Sequence, residues 1–365
     1  MKIAIIDDGV NAGFYPNTDR LLCDLRVTPE GEVLPRKSAP LRKSHGTICA
    51  AIIRKYAPNA QLASLQILSG AALRATPFEL RAALEWCAKE RYPLIHMSLG
   101  SRQTSDYPIL APAVHQLLGQ GAVIVAASGP DGQFSIPAYL DGVIGVRADE
   151  HFEGEQYALN PPAVCGVPIT ASGRHEITDY TGFTGYTHCC SSYAAPLITA
   201  RVYQLLQRPG DWDRERILAA LQEGALPLGS PLPEPVGTEE CFRVGITGTG
   251  EGFRGFLDAA LPFLWKNGYQ CWGFSTERLP AGETCIPLTG SSPVRQVQAL
   301  CRKMELDLAL LYTVRPEVLE ACDACVSLDT AGRMIVSDCS APGREPLSCA
   351  QTEMNRLLEY LENCE

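Results

Sequence analysis

The sequence has no long apolar run. None of its 365 residues lie in a stretch that approaches the roughly eighteen apolar residues a membrane-spanning helix needs. The apolar run within the N-terminal MKIAIIDDGV is four residues long, ends in two aspartates and is followed by no small-residue cleavage site typical of an export signal. We therefore expect a cytoplasmic protein with no membrane partner.

Basic residues are also scarce relative to acidic ones. The 31 Lys and Arg residues are outnumbered by 41 Asp and Glu residues, which gives a net charge of −10. Binding of nucleic acid depends on clustered positive charge, so we expect no nucleic-acid partner. The 15 cysteines, in a chain without an export signal, indicate thiols in a reducing compartment rather than a disulfide framework.

Four nearly continuous apolar runs indicate strands that are covered on both faces of a parallel sheet. Amphipathic patterns typical of helices lie between them, including HGTICAAIIRKY and PFELRAALEWCAKER. This alternation predicts a doubly wound α/β fold with three layers, α/β/α. The predicted strands are 2–7, 61–68, 94–99 and 122–128.

The pattern changes after two further predicted helices at about 192–207 and 213–223. Residues 226–240 contain four prolines and no apolar periodicity, which is typical of a linker. The sequence thus predicts a first domain over 1–225, a linker over 226–240 and a smaller, Rossmann-like α/β domain of unknown role over 241–365. In that second domain we expect strands at 241–247, near 306–313 and at 324–328, and helices at about 253–267 and 350–362.

Three polar residues stand where parallel α/β sheets form sites. Asp7 ends a predicted strand, His45 opens a predicted helix, and Ser192 lies at the start of another. Strand ends and helix starts converge on one edge of such a sheet, so these side chains can meet. Taken singly, each has an ordinary interpretation: a turn residue, a structural histidine and a helix N-cap.

Taken together, the segments IAIIDDGV, HGTICAAII, HMSLGS and SSYAAPLITA resemble the motifs of subtilisin-like serine proteases (subtilases) over about residues 1–207. The resemblance implies a nucleophile at Ser192, a general base at His45 and an orienting carboxylate at Asp7, in the subtilisin chain order. It also implies that the backbone of Ser98, Leu99 and Gly100 pairs with an extended peptide or protein substrate.

The resemblance fails at two positions. Subtilases place an oxyanion-binding asparagine where VAASGPDGQFSIPA has Pro130, which offers neither an N–H nor a side-chain donor. We expect slow or selective turnover, with Gln133 or Ser135 as substitute donors; Asp131, when ionised, would repel the oxyanion. Cys190 occupies the glycine position of the serine motif, where a side chain would crowd any close backbone approach.

Other motifs give weaker indications. CDAC at 322–325 is a lone pair of cysteines, and core packing explains it better than zinc or redox chemistry. HCC at 188–190 has no partner cluster, and no calcium-binding loop is readable. The glycine-rich VGITGTGEGFRG at 244–255 lacks the end of a phosphate-binding loop and has only Arg254 nearby, so a structural turn competes with an anion site. We expect no metal and no cofactor.

Two hypotheses follow. The first is a cytosolic serine endopeptidase that processes a specific precursor peptide. The alternative is a catalytically impaired peptide-binding protein that keeps the cleft. In either case, the C-terminal domain is a candidate site for recruiting a protein partner.

Overall fold

In the computed structural model, the chain divides into two compact units, Met1–Pro233 and Glu234–Glu365. The structure describes residues 1–37, 41–70, 73–160, 167–227, 241–277, 279, 284–288 and 292–335. The predicted linker lies outside the described residues except for 226–227, and so does the predicted final helix at 350–362. No helix in the described part of the chain is both long and apolar enough to cross a membrane.

Strands and helices alternate through most of the first unit. Its strands are β1 (Lys2–Asp7), β2 (Leu21–Val27), β3 (Val33–Pro35), β4 (Gln61–Gln66), β5 (Leu94–Met97), β6 (Val123–Ala127), β7 (Ile144–Ala148), β8 (Tyr157–Leu159), β9 (Ile169–Ala171), β10 (Glu176–Thr178) and β11 (Thr184–Tyr186). Its helices are α1 (His45–Tyr56), α2 (Pro77–Lys89), α3 (Tyr107–Gly119), α4 (Ser191–Leu206) and α5 (Arg214–Gln222).

Nine of these strands form one sheet in the order β3-β2-β4-β1-β5-β6-β7-β9-β8. The pairs are parallel except at the two edges, where β3 and β8 run antiparallel to their neighbours. Strands β10 and β11 form a separate antiparallel hairpin. The sheet confirms the predicted α/β class, with the four predicted strands at its centre.

Strand β1 shows why the centre of the sheet is mostly apolar. It pairs in parallel with β4 on one side and β5 on the other, so its backbone is fully bonded. Ile3 and Ile5 pack in the cluster that contains residues of α1 and α4, and the alternate residues Ala4 and Ile6 are equally buried. A strand covered on both faces carries apolar residues towards both, as in the run Ile3–Ile6. Polar residues stand only at the two ends of β1, Lys2 and Asp7.

The second unit contains another mostly parallel sheet. Its strands are β12 (Phe242–Thr247), β13 (Cys271–Ser275), β14 (Cys285–Pro287), β15 (Leu308–Tyr312), β16 (Ala324–Leu328) and β17 (Met334–Ile335), in the order β14-β13-β15-β12-β16-β17. The described helices are α6 (Gly250–Lys266), α7 (Pro293–Met304) and α8 (Pro316–Leu319). Of the strands in the described residues of this unit, β17 alone is antiparallel to its neighbour. This α/β architecture agrees with the expectation for the C-terminal region.

Candidate active site

Asp7 and His45 are in direct contact. Asp7 ends β1 with its side chain fully buried, and His45 is the first residue of α1. The imidazole Nδ1 lies 2.9 Å from each carboxylate oxygen of Asp7. A carboxylate can only accept hydrogen bonds, so Nδ1 carries the proton and Nε2 is left as the basic nitrogen.

Two glycines allow this contact. Gly9 has a φ of +91°, a conformation that favours glycine, and it turns the chain away after β1. Gly46 follows His45, and a Cβ there would lie 3.0 Å from both Asp7 Cβ and the Gly9 carbonyl oxygen. A side chain at residue 46 would therefore push the start of α1 and the end of β1 apart by a few tenths of an ångström, and glycine permits the observed close approach.

The side chain of Asp8, the residue that follows β1, caps the N-terminus of α1. Its Oδ2 accepts a hydrogen bond from the His45 backbone N–H (3.0 Å), and its Oδ1 accepts one from the Gly46 N–H (2.7 Å). These are N–H groups that a helix start leaves without partners. Burial and the nearby Asp7 raise the pKa of Asp8, whereas the two N–H groups oppose this shift. Asp8 thus fixes the position of His45 through the backbone rather than through the imidazole.

We expect Asp8→Ala to destabilise the first unit by about 1–2 kcal/mol, because both capping acceptors are lost. For a domain of this size, that predicts a fall in melting temperature of about 2–4 °C per kcal/mol. Asp8→Asn should cost less, because it keeps one acceptor and removes a charge that burial and Asp7 disfavour. Thermal unfolding followed by circular dichroism checks both variants. Asp19→Ala, at an exposed carboxyl, is the control; equal losses at positions 8 and 19 would contradict the capping role.

Burial and the neighbouring groups have opposing effects on the charge of His45. Burial lowers the pKa of the imidazole, whereas interactions with Cys49 and Asp7 raise it, and the net shift is upward. Burial also raises the pKa of the Cys49 thiol, so this group is uncharged at neutral pH. The Asp7 carboxylate is therefore the cause of the upward shift at neutral pH. A base of this kind is increasingly available as the pH rises.

Ser192 is the second residue of α4 and forms a reciprocal pair with Ser98. The Ser192 hydroxyl donates to the Ser98 carbonyl oxygen (3.1 Å), and the Ser98 hydroxyl donates to the Ser192 carbonyl oxygen (2.6 Å). Among the hydrogen bonds of the described residues, none joins Ser192 to His45. The imidazole instead stacks on the ring of Tyr193, with centroids 5.2 Å apart. The structure thus brings Asp7 to His45 and Ser98 to Ser192 as two bonded pairs.

Cys49, which the sequence reasoning missed, bridges the two pairs. It lies one helical turn after His45, and its Sγ is 4.0 Å from the imidazole Nδ1. The same thiol contacts Ser98 Oγ (3.4 Å) and the Ser192 carbonyl oxygen (3.6 Å). The spacing of four residues within a helix, which puts two side chains on one face, was the signal that could have found it.

The sequence reasoning also missed His96, a buried residue that contacts the hydroxyl of Ser98. It is fully buried in β5, with Nε2 2.9 Å from Ser98 Oγ and Nδ1 2.8 Å from Thr199 Oγ1. Burial lowers the pKa of His96 to about 3, so the ring is neutral at physiological pH. Residues 96 and 98 alternate with Met97 at the end of β5 and in the extended predicted strand 94–99, and this period of two was the available signal.

Ligand atoms of Asp7, His45 and Cys49 lie within 4.8 Å of one another, and in the described part of the chain they form the single cluster of metal-ligand type. The imidazole atom in this cluster, Nδ1, already bonds the Asp7 carboxylate, and the thiol is protonated at neutral pH. A metal there would have to displace both protons. The arrangement is better suited to holding the imidazole than to binding an ion.

The segment with Pro130 lies next to the start of α4. It forms a short 3-10 turn, Pro130–Gly132, and just before it the Ser128 hydroxyl lies 3.1 Å from that of Ser191. Of the two proposed substitute donors, Ser135 is buried and donates to the Ala127 carbonyl oxygen (3.3 Å). The side-chain oxygen of Gln133 accepts a hydrogen bond from Arg102 (2.9 Å).

The predicted substrate-binding segment follows β5 directly. Ser98 is buried, Leu99 is half-buried and Gly100 is exposed. The next residue, Ser101, exchanges two backbone hydrogen bonds with Ile136, at 2.8 and 2.7 Å. The segment Ser98–Leu99–Gly100 therefore becomes more exposed from its buried start, where the Ser98 carbonyl oxygen accepts the Ser192 hydroxyl, to Gly100, and the bridge at Ser101 holds its far end.

The residues of the remaining sequence motifs make contacts of the kind that packing and helix capping require. Cys190 has a φ of −154°, which is extended backbone that any residue adopts. The Cys322 and Cys325 thiols donate to carbonyl oxygens of α8 at 3.3 and 3.6 Å. In the glycine-rich stretch, Thr249 caps α6 by accepting from the Gly252 N–H (3.1 Å). These contacts account for the residues as packing and capping groups.

Comparison with known proteins identifies the family. The profile of the Subtilase family matches residues 1–240, which is most of the chain, and the chain therefore belongs to the subtilases, a family of serine endopeptidases. An alkaline protease of Alkalihalobacillus alcalophilus is 27% identical over 242 residues, covering 63% of this chain and 60% of the relative. Subtilisin BL of Lederbergia lenta is also 27% identical, and the match covers 85% of it. The chain thus spans less than two thirds of the first of these relatives.

A solved structure of a psychrophilic protease shares the fold. It superimposes with a TM-score of 0.50 at 20% identity, covering 61% of this chain and 82% of that one. The resemblance seen in the sequence motifs is confirmed as family membership, and the first unit has a subtilisin-like α/β fold.

Proposed function

We propose that the protein is a serine endopeptidase that uses Asp7, His45 and Ser192. The observation that carries the proposal is the double contact of Asp7 with His45 Nδ1, which leaves Nε2 as a base whose pKa is raised. Ser192 lies at the start of α4, where backbone N–H groups can stabilise a developing negative charge. Family membership supports the same reaction.

The proposed reaction begins when substrate binding releases the Ser192 hydroxyl from its hydrogen bond to Ser98. An extended substrate pairs with the backbone at Ser98–Gly100, and a substrate N–H takes over the Ser98 carbonyl oxygen that now accepts the Ser192 hydroxyl. Ser192 then rotates about its Cα–Cβ bond to reach His45. Its oxygen attacks the scissile carbonyl carbon while Nε2 takes its proton.

The tetrahedral intermediate carries its negative charge on the former carbonyl oxygen. The Ser192 backbone N–H is the donor this chain offers there, together with the dipole of α4. His45 returns the proton to the leaving amine, the C–N bond breaks, and an acyl-enzyme remains. His45 then takes a proton from water, and the oxygen of that water attacks the ester carbon. The ester C–O bond breaks as His45 passes the proton to Ser192 Oγ, which releases the acid product and restores the free enzyme. Throughout, Asp7 keeps the proton of Nδ1 in place.

We further propose a cytosolic setting and a selective substrate, such as a precursor peptide. Two features that differ from the family's usual active site support a selective substrate. Pro130 removes a transition-state donor, and the resting Ser192 hydroxyl is bound to Ser98 rather than to His45. Both features slow hydrolysis of poorly fitting peptides, which suits a protease surrounded by other proteins.

The same features favour the second candidate, a peptide-binding protein with impaired catalysis. In that case the cleft at Ser98–Gly100 still pairs with an extended peptide, but Ser192 does not acylate. The C-terminal unit would then recruit a protein partner. Reactivity of Ser192 separates the two candidates.

Labelling with a fluorophosphonate probe tests the proposal. We expect the wild-type protein to be modified at one site, with the adduct mapped by mass spectrometry to Ser192. Ser192→Ala should not be labelled, whereas Ser191→Ala, one residue away and bonded to Ser128, should be. A native wild-type protein that resists the probe but binds extended peptides would establish the binding candidate instead.

A further inference from the structure

A cavity of about 290 Å³ opens directly beside His45. Part of its wall is apolar, formed by Ile48, Leu73 and Tyr193, and His45 also lines it. Because one wall is the proposed base and another is the neighbour of Ser192, a side chain next to the scissile bond would enter it. The cavity is therefore placed to select one substrate residue.

Two cations line the same cavity. Arg42 and Lys43 precede α1, and both side chains are exposed. Their backbone is held in place, since buried Asn11 donates to the Arg42 carbonyl oxygen (2.9 Å) and the next residue, Ser44, donates to that of Gly9 (2.9 Å). Among the described residues, neither cation has an ion-pair partner. Their charge is thus available to a bound molecule.

The carboxylates near the cavity are already engaged. Asp8 is the only acid among the lining residues, and both of its oxygens accept backbone N–H groups of α1. Asp7 bonds the imidazole. Asp179, in the turn between β10 and β11, takes hydrogen bonds from Thr181, and these together with the charge of Lys43 lower its pKa. Among the lining residues, the two cations Arg42 and Lys43 outnumber the single acid Asp8, and Arg42 is the less compensated of the two cations because the charge of Lys43 also acts on Asp179.

We propose that this cavity selects an acidic residue of the peptide substrate, glutamate above aspartate, at a position flanking the scissile bond. The aliphatic part of glutamate is long enough to pack on the apolar walls while its carboxylate reaches Arg42 and Lys43. Since the overall charge of the protein is −10, this is a local feature that works against the general repulsion of acidic peptides. The inference rests on the proposed peptidase function and adds a substrate class to it.

The test is a peptide library with one varied position at a time, with cleavage sites and rates read by mass spectrometry. For the wild type we expect kcat/KM for Glu to exceed that for Gln about 10-fold at one position, as two exposed ion pairs allow. The preference should shrink when the salt concentration rises from 50 to 500 mM, about a threefold change in screening length. The ratio is measured within each protein, so a general loss of rate does not affect it.

The double variant Arg42→Glu/Lys43→Glu should reverse the preference towards Lys and Arg at that position. Arg81→Glu/Lys89→Glu on α2 makes the same change in net charge away from the cavity and should keep the preference for Glu. A wild-type protein that cleaves the library without favouring acids, or a preference unaltered in the double variant, would overturn the inference. Failure of the peptidase proposal is distinct: Ser192 would resist the fluorophosphonate, and no peptide would be cleaved.

Discussion

Replacing Asp7 with asparagine should lower kcat about 10⁴-fold, with a much smaller change in KM. The reason lies in the 2.9 Å contacts between the two carboxylate oxygens and His45 Nδ1. An asparagine can present its NH₂ group to Nδ1, which stabilises the tautomer whose proton is on Nε2. That tautomer cannot accept the proton of Ser192. Single-turnover hydrolysis of a peptide ester is the measurement.

The same variant should shift the pH dependence in a defined direction. His45 acts as a base only when it is neutral, so activity appears as the pH rises through its pKa. Asp7 raises that pKa, and the asparagine variant loses the effect. The acid limb of the profile of kcat/KM against pH should therefore move to lower pH. Asp19→Asn, at an exposed site, is the control and should leave both rate and profile unchanged. An acid limb at the same pH in wild type and Asp7→Asn would show that another group controls it.

The sequence predicts the part of the fold where the apolar signal is continuous. Strands β1, β4, β5 and β6 are covered on both faces, so most of their residues are apolar, and each was expected within two residues of its observed ends. Strands β3, β8 and β9 are three residues long and lie at or near the edges, where no such run is needed. Helix α3 contains Pro112, which disfavours a helix by local rules but is tolerated in this packed layer.

For the candidate site, residue type and motif predict where Asp7, His45 and Ser192 lie, but not how they are bonded. The contact of Asp7 with His45 follows from the meeting of a strand end and a helix start, which topology alone implies. The two reciprocal hydrogen bonds of Ser98 and Ser192 depend on side-chain rotamers, which cannot be predicted from a sequence motif. The contacts of the Cys49 thiol could not be predicted from the sequence either, because its partners Ser98 and Ser192 lie 49 and 143 residues further along the chain.

Replacing Pro130 with asparagine should raise kcat about 10²-fold. Subtilases place an asparagine donor at this position, and loss of one oxyanion donor costs about 10²–10³-fold in kcat. The gain should appear in kcat and not in KM, because the donor meets full charge only in the transition state. Pro130 is the first residue of the 3-10 turn Pro130–Gly132 and has no backbone N–H. An N–H at this first position needs no partner within the turn, so asparagine can occupy it without breaking a hydrogen bond.

Pro130→Ala is the matched control, since it restores the same backbone N–H and adds no side-chain donor. We expect it to keep the wild-type rate, so that the ratio between the Asn and Ala variants measures the donor alone. The rate of fluorophosphonate labelling at Ser192 gives an independent reading, because that reaction also places negative charge on an oxygen. Equal rates for Asn and Ala would mean that the oxyanion already has its second donor, with Gln133 as the first residue to substitute. A large ratio would make Pro130 the residue that holds the peptidase in its slow, selective state.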